Sequence, residues 1–187
     1  MIFEKGDFIQ NRYQVDTILY SDNEGVIYSC KYRKGYKIVK QIFSAGGSRT
    51  AEGDKLFSDR CSDLKKLNHR NLVQIDDFFM EEDSYFAVME QIKGKTLEDL
   101  YRQDYKGKVF PSDVLMQYVL KVCDGLKYMH SQKPPVLYGA IAPGTVLTGG
   151  GGVVKLINYG LGNIISHGLN KGFEGFAAPE QESGKKE

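Results

Sequence analysis

The residue types that usually carry chemistry are sparse and scattered in this chain. Its three cysteines, Cys30, Cys61 and Cys123, and its three histidines, His69, His130 and His167, stand far apart. A zinc site or a disulfide framework needs clustered pairs. The thiols are therefore expected to be small buried side chains in a reducing compartment. The run Gly149-Gly150-Gly151-Gly152 invites a phosphate-cradling loop. No Lys-Ser or Lys-Thr follows it and no helix opens there, so a hairpin turn is expected instead. Lys40 closes the run Ile38-Val39-Lys40, where a strand lysine paired with a nearby carboxylate is the plain reading.

The bulk composition narrows the classes. The chain has 187 residues, 41% hydrophobic and 26% charged, with a formal net charge of +1. That suits an ordinary globular chain with one sizeable core or two small lobes. A charge so near zero does not point to nucleic acid or to an acidic membrane surface. No run of about 18 apolar residues suggests a membrane span. Met1 to Gln10 carries Glu4, Lys5 and Asp7 and does not read as a secretion signal. A cytoplasmic location is expected, either for the chain itself or as the cytoplasmic part of a longer membrane-anchored protein.

The elements that must position any site divide at about residue 92. Tyr13 to Tyr20, Val26 to Tyr28, Tyr36 to Ile42, Val73 to Phe79 and Tyr85 to Ile92 read as five strands, with Glu81-Glu82-Asp83-Ser84 as a turn. Short connections suggest an antiparallel sheet. Between the third and fourth strands, Ala51 to Asn68 reads as a helix with Leu56, Cys61, Leu64 and Leu67 as its apolar stripe. Thr96 is expected to cap a helix beginning Leu97-Glu98-Asp99. Ser112 is expected to cap a longer helix over about Asp113 to Gln132, with Leu115, Tyr118, Val119, Val122, Leu126 and Met129 facing inward. Val146-Leu147 and Val153 to Ile157 flank the glycine run as a hairpin.

Against this frame one stretch becomes informative. Val136-Leu137-Tyr138-Gly139-Ala140-Ile141-Ala142-Pro143-Gly144-Thr145-Val146-Leu147 resembles the catalytic loop of protein kinases. That loop reads hydrophobic-hydrophobic-His-Arg-Asp-hydrophobic-Lys-Pro-x-Asn-hydrophobic-Leu. The apolar frame and Pro143 are kept, while Tyr138, Gly139, Ala140, Ala142 and Thr145 replace His, Arg, Asp, Lys and Asn. Further landmarks follow in order. Ile38-Val39-Lys40 resembles the strand that carries the nucleotide-binding lysine. Asn68 to Val73 resembles the segment after the αC helix, and Ala87-Val88-Met89-Glu90 the hinge, with Met89 as gatekeeper. Val154 to Gly160 resembles Val-Lys-Leu-x-Asp-Phe-Gly, with Asn158 in place of Asp. Phe176-Ala177-Ala178-Pro179-Glu180-Gln181 resembles the end of the activation segment. The style is closest to bacterial kinases of the eukaryotic type.

The resemblance implies an α+β, protein-kinase-like fold. It places a five-stranded antiparallel N-lobe sheet with an αC helix over residues 10–92. A partial, mainly helical C-lobe follows over residues 93–187. It also implies how the chemistry has been altered. Of the three loop glycines only Gly25 remains; Tyr20 and Asp22 replace the others, and Asp22 and Glu24 set negative charge where phosphates would lie. Counting back from His69 puts Arg60 at the place of the αC glutamate that pairs with Lys40; a one-residue slip would bring Asp59 inward instead. Asn158 and Thr145 replace both metal ligands, although magnesium prefers carboxylate oxygen. Ala140 offers no proton acceptor, and the hydroxyl of Tyr138 is a poor base near pH 7. Gly139 removes the arginine that binds an activation-segment phosphate.

These losses lead to the expectation of a catalytically inactive pseudokinase, no enzyme, acting as a protein-binding scaffold in bacterial signalling. No cofactor or metal is expected. The alternative is a nucleotide sensor that binds ATP weakly and without metal through Lys40, Gly25, Met89, Glu90 and Ile92. An atypical transferase is the third reading. Protein partners are expected, and nucleic acid is not. The resemblance stops at Gln181 and the tail Glu182 to Glu187 is polar, which reads either as a fragment of a longer protein or as a minimal version. In both cases the long C-lobe helix would lack its usual cover and could support self-association.

Overall fold

A computed structural model of the chain describes residues 1–139, 141–157 and 176. The chain divides into two compact units, Met1–Leu67 with Gln74–Gln91, and Asn68–Val73 with Ile92–Glu187.

The first unit is built on a sheet of six strands. They are β1 (Phe8–Ile9), β2 (Tyr13–Ser21), β3 (Gly25–Tyr32), β4 (Gly35–Phe43), β5 (Ile75–Glu81) and β6 (Ser84–Glu90). Their order is β1-β2-β3-β4-β6-β5, and every neighbouring pair is antiparallel. The five expected strands are present. The sixth, β1, spans two residues and pairs only with the start of β2, too short to leave an alternating pattern in the sequence. β5 starts at Ile75 rather than Val73, because the Val73 amide donates to the Leu156 carbonyl of the second unit at 2.9 Å.

One face of the sheet carries the core. Ile9, Tyr13, Val15, Val26, Tyr28, Cys30, Val39, Phe79, Phe86 and Val88 are buried together there, with Phe3, Tyr32 and Phe43 against them. Phe79 stacks on Phe86 at 4.9 Å between centroids and on Tyr13 at 6.1 Å, which adds to the area they bury. The polar side chain of Gln41 enters this face with its hydrogen bonds met. It accepts from the Tyr28 hydroxyl at 2.8 Å and donates to the Met1 carbonyl and the Ser84 hydroxyl at 2.9 and 3.0 Å.

The helix α1 (Ala51–Leu64) begins at Thr50, whose hydroxyl accepts from the Gly53 amide at 3.1 Å. It ends four residues earlier than expected, where Leu67 N turns back to Leu64 O. Its buried residues are Phe57, Cys61 and Leu64. Leu56, expected in the stripe, is 51% exposed. Phe57 takes its place because its ring meets Phe78 and Tyr85 at 5.8 and 4.7 Å.

The second unit contains β7 (Gly94–Thr96), α2 (Leu97–Asp99) running into a π-helical turn at Leu100–Asp104, α3 (Ser112–His130), β8 (Val146–Gly149) and β9 (Val153–Leu156). The strands form a sheet in the order β7-β8-β9. The expected hairpin across the glycine run is present, with Gly151 and Gly152 at φ 67° and 73°, a conformation glycine adopts without strain. Thr96 caps α2 by accepting from the Asp99 amide at 3.0 Å, as expected. Ser112, by contrast, is the first residue of α3, and Pro111 precedes it with no side-chain cap. Leu115 and Val119, expected to face inward, are 42% and 46% exposed. The buried side of α3 runs through Gly125 and Met129, since Gly125 lies under Leu156 and Asn71, where a Cβ would come within 3.2 Å of the Leu156 side chain and 3.3 Å of the Asn71 carbonyl oxygen. Cys30 and Cys61 are buried as expected, while Cys123 on α3 is exposed. No described helix is long and apolar enough to cross a membrane.

The exchange of Leu56 for Phe57 on α1 is directly testable. Phe57→Ala is expected to destabilise the protein by about 3–5 kcal/mol, and Leu56→Ala by less than about 0.5 kcal/mol. Urea unfolding midpoints of the two variants check it.

Candidate functional site

Strand alternation assigns the candidate residues of the first unit to a face. In β4, Val39 and Gln41 point into the core, so Ile38, Lys40 and Ile42 point the other way. Register pairs Lys40 with Ile27 of β3 and Ala87 of β6, and Ile38 with Met89. Lys40, Ile27, Ala87 and Met89 therefore share the face opposite the aromatic core. Met89 is buried there, and Lys40 is partly buried. Glu90 belongs to the alternate face, opposite Lys37. Its carboxylate accepts from the Gln74 amide at 2.7 Å, and its own amide donates to the Gln74 carbonyl. Ile92 follows as a partly buried residue of the second unit.

Burial dominates the electrostatics of Lys40. Desolvation pulls its pKa down to about 8, against the opposing pull of Glu24 and Asp22. Both carboxylates sit in the turn between β2 and β3. The Asp22 carboxylate accepts from the amides of Glu24 and Gly25 at 2.9 and 3.0 Å. The Asp22 amide donates back to the Gly25 carbonyl at 3.0 Å, and the Phe43 amide ties the Glu24 carbonyl to β4 at 2.9 Å. An Asp three residues before a Gly in a turn is the sequence signal for this carboxylate-to-amide arrangement. Gly25 has a packing reason of its own, since a Cβ there would lie 2.1 Å from the Gln41 carbonyl oxygen. On α1, Arg60 is partly buried and Asp59 exposed.

In the second unit the stretch Val136–Leu147 is pinned from inside. Tyr138 is buried, and its hydroxyl donates to the carbonyls of Ile157 and, at 3.2 Å, Thr145. Burial pushes the Tyr138 pKa well above the ordinary tyrosine value, opposed by the Thr145 bond, so its hydroxyl stays protonated. The Thr145 hydroxyl donates to the Ala142 carbonyl at 2.9 Å and accepts from the Ala142 amide at 3.1 Å. That closes a 3₁₀ turn over Pro143–Thr145. Thr145 thus spends its hydroxyl on the loop's own backbone. Gly139 has φ 86°, a left-handed backbone that an arginine would adopt only with strain. Ala140, Asn158 and the activation-segment residues 158–175 and 177–181 lie outside the described residues.

Known proteins share this fold. A family model described as the protein kinase domain matches residues 13–186. A Clostridium perfringens protein named as a probable serine/threonine-protein kinase is 26% identical, across 96% of this chain and 26% of its own length. The human serine/threonine-protein kinase tousled-like 2 is 27% identical across 64% of this chain and 16% of its own length. The chain thus spans about a quarter or less of the length of these relatives. Among solved structures, the Mycobacterium tuberculosis PknI kinase domain superposes with a TM-score of 0.76 at 19% identity, covering all of this chain and 71% of that one.

These findings bear out the kinase-like fold and its likeness to bacterial kinases of the eukaryotic type. They overturn the expectation of a chain that is not an enzyme, because the relatives carry the names of serine/threonine kinases and point to one. The physical reason for the error is specific. Missing side chains at 140, 145 and 158 describe the loss of one arrangement for phosphoryl transfer. A fold hosts more than one chemistry, so that loss does not by itself decide activity.

Lys40 yields a pH test. Its folded pKa, about 8, lies below its ordinary value of 10.5. The unfolded chain then binds the extra proton, so burial of Lys40 destabilises the fold fully below about pH 8, by roughly 3 kcal/mol. That cost fades as pH rises from about 8 to about 10.5. The native protein is therefore expected to gain stability relative to Lys40→Met across that window, measured by urea unfolding at stepped pH. Comparison with the variant cancels the buried tyrosines and thiols.

Proposed function

Since the chain belongs to the protein kinase domain family, we propose that it is a signalling domain that binds an adenine nucleotide at Lys40 and relays the bound state to a protein partner. The observation that carries this reading is the partly buried, desolvated Lys40 on the sheet face opposite the core. Keeping a cation out of water costs stability, and an anionic ligand arriving beside it offsets that cost. Ile27 on the same face, beside the buried Ala87 and Met89, offers apolar surface for a flat base. The Thr145 hydroxyl is committed to Ala142, which favours binding that does not depend on a metal at that residue. We place the domain in the cytoplasm and its output in protein contacts.

A second reading follows from the names of the relatives: transfer of a phosphoryl group to a serine or threonine. Alanine at 140 cannot accept the hydroxyl proton, and a positioned base contributes about 10²–10⁴-fold. Any transfer by the native chain is then slow, and Ala140→Asp is expected to raise it.

Thermal melting decides the first reading. A ligand at 100 times its Kd adds about 2.7 kcal/mol, so millimolar AMP or ATP is expected to raise Tm with or without magnesium. Lys40→Ala is expected to abolish the rise. Unshifted melting of the native chain with both nucleotides counts against nucleotide binding. Radiolabelled transfer assays of the native chain and Ala140→Asp check the second reading, which fails if neither incorporates phosphate above a no-enzyme control.

A further inference from the structure

We propose that Asp22 is a specificity-determining residue of this site, its carboxylate holding the place of a phosphate so that ligands with a short or absent phosphate tail bind in preference to polyphosphates. The inference rests on the reading of Lys40 as the anion-facing lysine of a nucleotide site, and it names the ligand class that site accepts.

The turn between β2 and β3 presents successive amides at its tip. Clustered N–H groups of this kind form an anion-binding concavity. Here the concavity is already filled from within the chain. The Asp22 carboxylate takes the Glu24 and Gly25 amides at 2.9 and 3.0 Å. Its negative charge, with that of Glu24, also acts on Lys40. The two amides that an incoming phosphate would use are therefore engaged by an intramolecular anion. A triphosphate has to displace Asp22 and overcome the repulsion of two carboxylates. A nucleoside, which brings no anion to the turn, does neither.

Backbone contacts also hold the path of the turn. The Asp22 amide bonds the Gly25 carbonyl, the Phe43 amide bonds the Glu24 carbonyl, and Gly25 packs against the Gln41 carbonyl. These backbone contacts persist in Asp22→Ala. That variant frees two amides and removes one charge. Asp22→Asn keeps an acceptor on the amides and removes only the charge.

Isothermal titration of the whole chain with tripolyphosphate and with adenosine separates the effects. Asp22→Ala is expected to bind tripolyphosphate at least about tenfold more tightly than the native chain, the size of a charged hydrogen bond regained. Asp22→Asn is expected to show a smaller gain, and adenosine to bind all three proteins equally. Equal tripolyphosphate affinity in native and Asp22→Ala protein, including no binding to either, overturns the role of Asp22. Should Asp22→Ala fail to fold, the same comparison with Asp22→Asn decides it. Adenosine that binds none of the proteins, while the tripolyphosphate difference stands, overturns the nucleotide reading and leaves the anion-mimic role of Asp22 supported.

Discussion

Burial of one face of the six-stranded sheet under the Tyr13, Tyr28, Phe79 and Phe86 rings sets everything else in the first unit. The side-chain period of a strand is two, so a slip of one residue in β4 would turn Val39 and Gln41 outward and Lys40 into the aromatic core. A cation among those rings would cost far more than the slip could return. The register is therefore held by what the core excludes as much as by what it contains. Gly25 adds a second lock, since β3 can approach the Gln41 carbonyl only where no Cβ intervenes. Lys40 reaches its face as a consequence.

The candidate site shows a chain that satisfies its own polar groups where a ligand would otherwise do so. Asp22 fills the amides of the β2–β3 turn, and Tyr138 and Thr145 close the loop between α3 and β8 onto backbone carbonyls. Buried or clustered donors and acceptors need partners. A sequence that has given up the family's polar and charged residues at 138–140 and 145 must supply others that hydrogen-bond locally, and Tyr138 and Thr145 do this. Gly139 fits the same account, occupying a left-handed position without strain. These substitutions preserve the loop as structure while changing what it can offer to a substrate. Membership of an enzyme family, carried by the frame, and alteration of the family's reactive groups coexist in one chain for that reason.

Much of this was legible in the residues themselves. Short alternating runs and their turns gave the five main strands, and Thr96 announced a helix start by the capping preference of its hydroxyl. The glycine run declared a hairpin because it lacked the lysine and helix of a phosphate loop. The ordered landmarks from Lys40 to Glu180 carried the family without any three-dimensional knowledge. Harder to read were choices between near-equal options. Leu56 and Phe57 are adjacent on α1, and periodicity admits either at the edge of the buried stripe. Leu115 and Val119 on α3 present the same ambiguity against Gly125, a residue with no side chain to signal burial.

What the sequence alone determined was local and additive: which segments are strands or helices, where turns fall, which reactive residue types are present, and which family frame they occupy. The tertiary structure decided matters of competition. Phe57 displaced Leu56 because Phe78 and Tyr85 offered rings to meet. Val73 left the sheet because the Leu156 carbonyl claimed its amide. The Asp22 carboxylate turned onto its own loop, where charge counting had left it merely facing a ligand. Each outcome depends on which partner lies within about 3 Å for a hydrogen bond, or in contact for a ring. Residues distant in sequence supply many of those partners, and even the neighbouring amides at Asp22 converge only once the turn is folded.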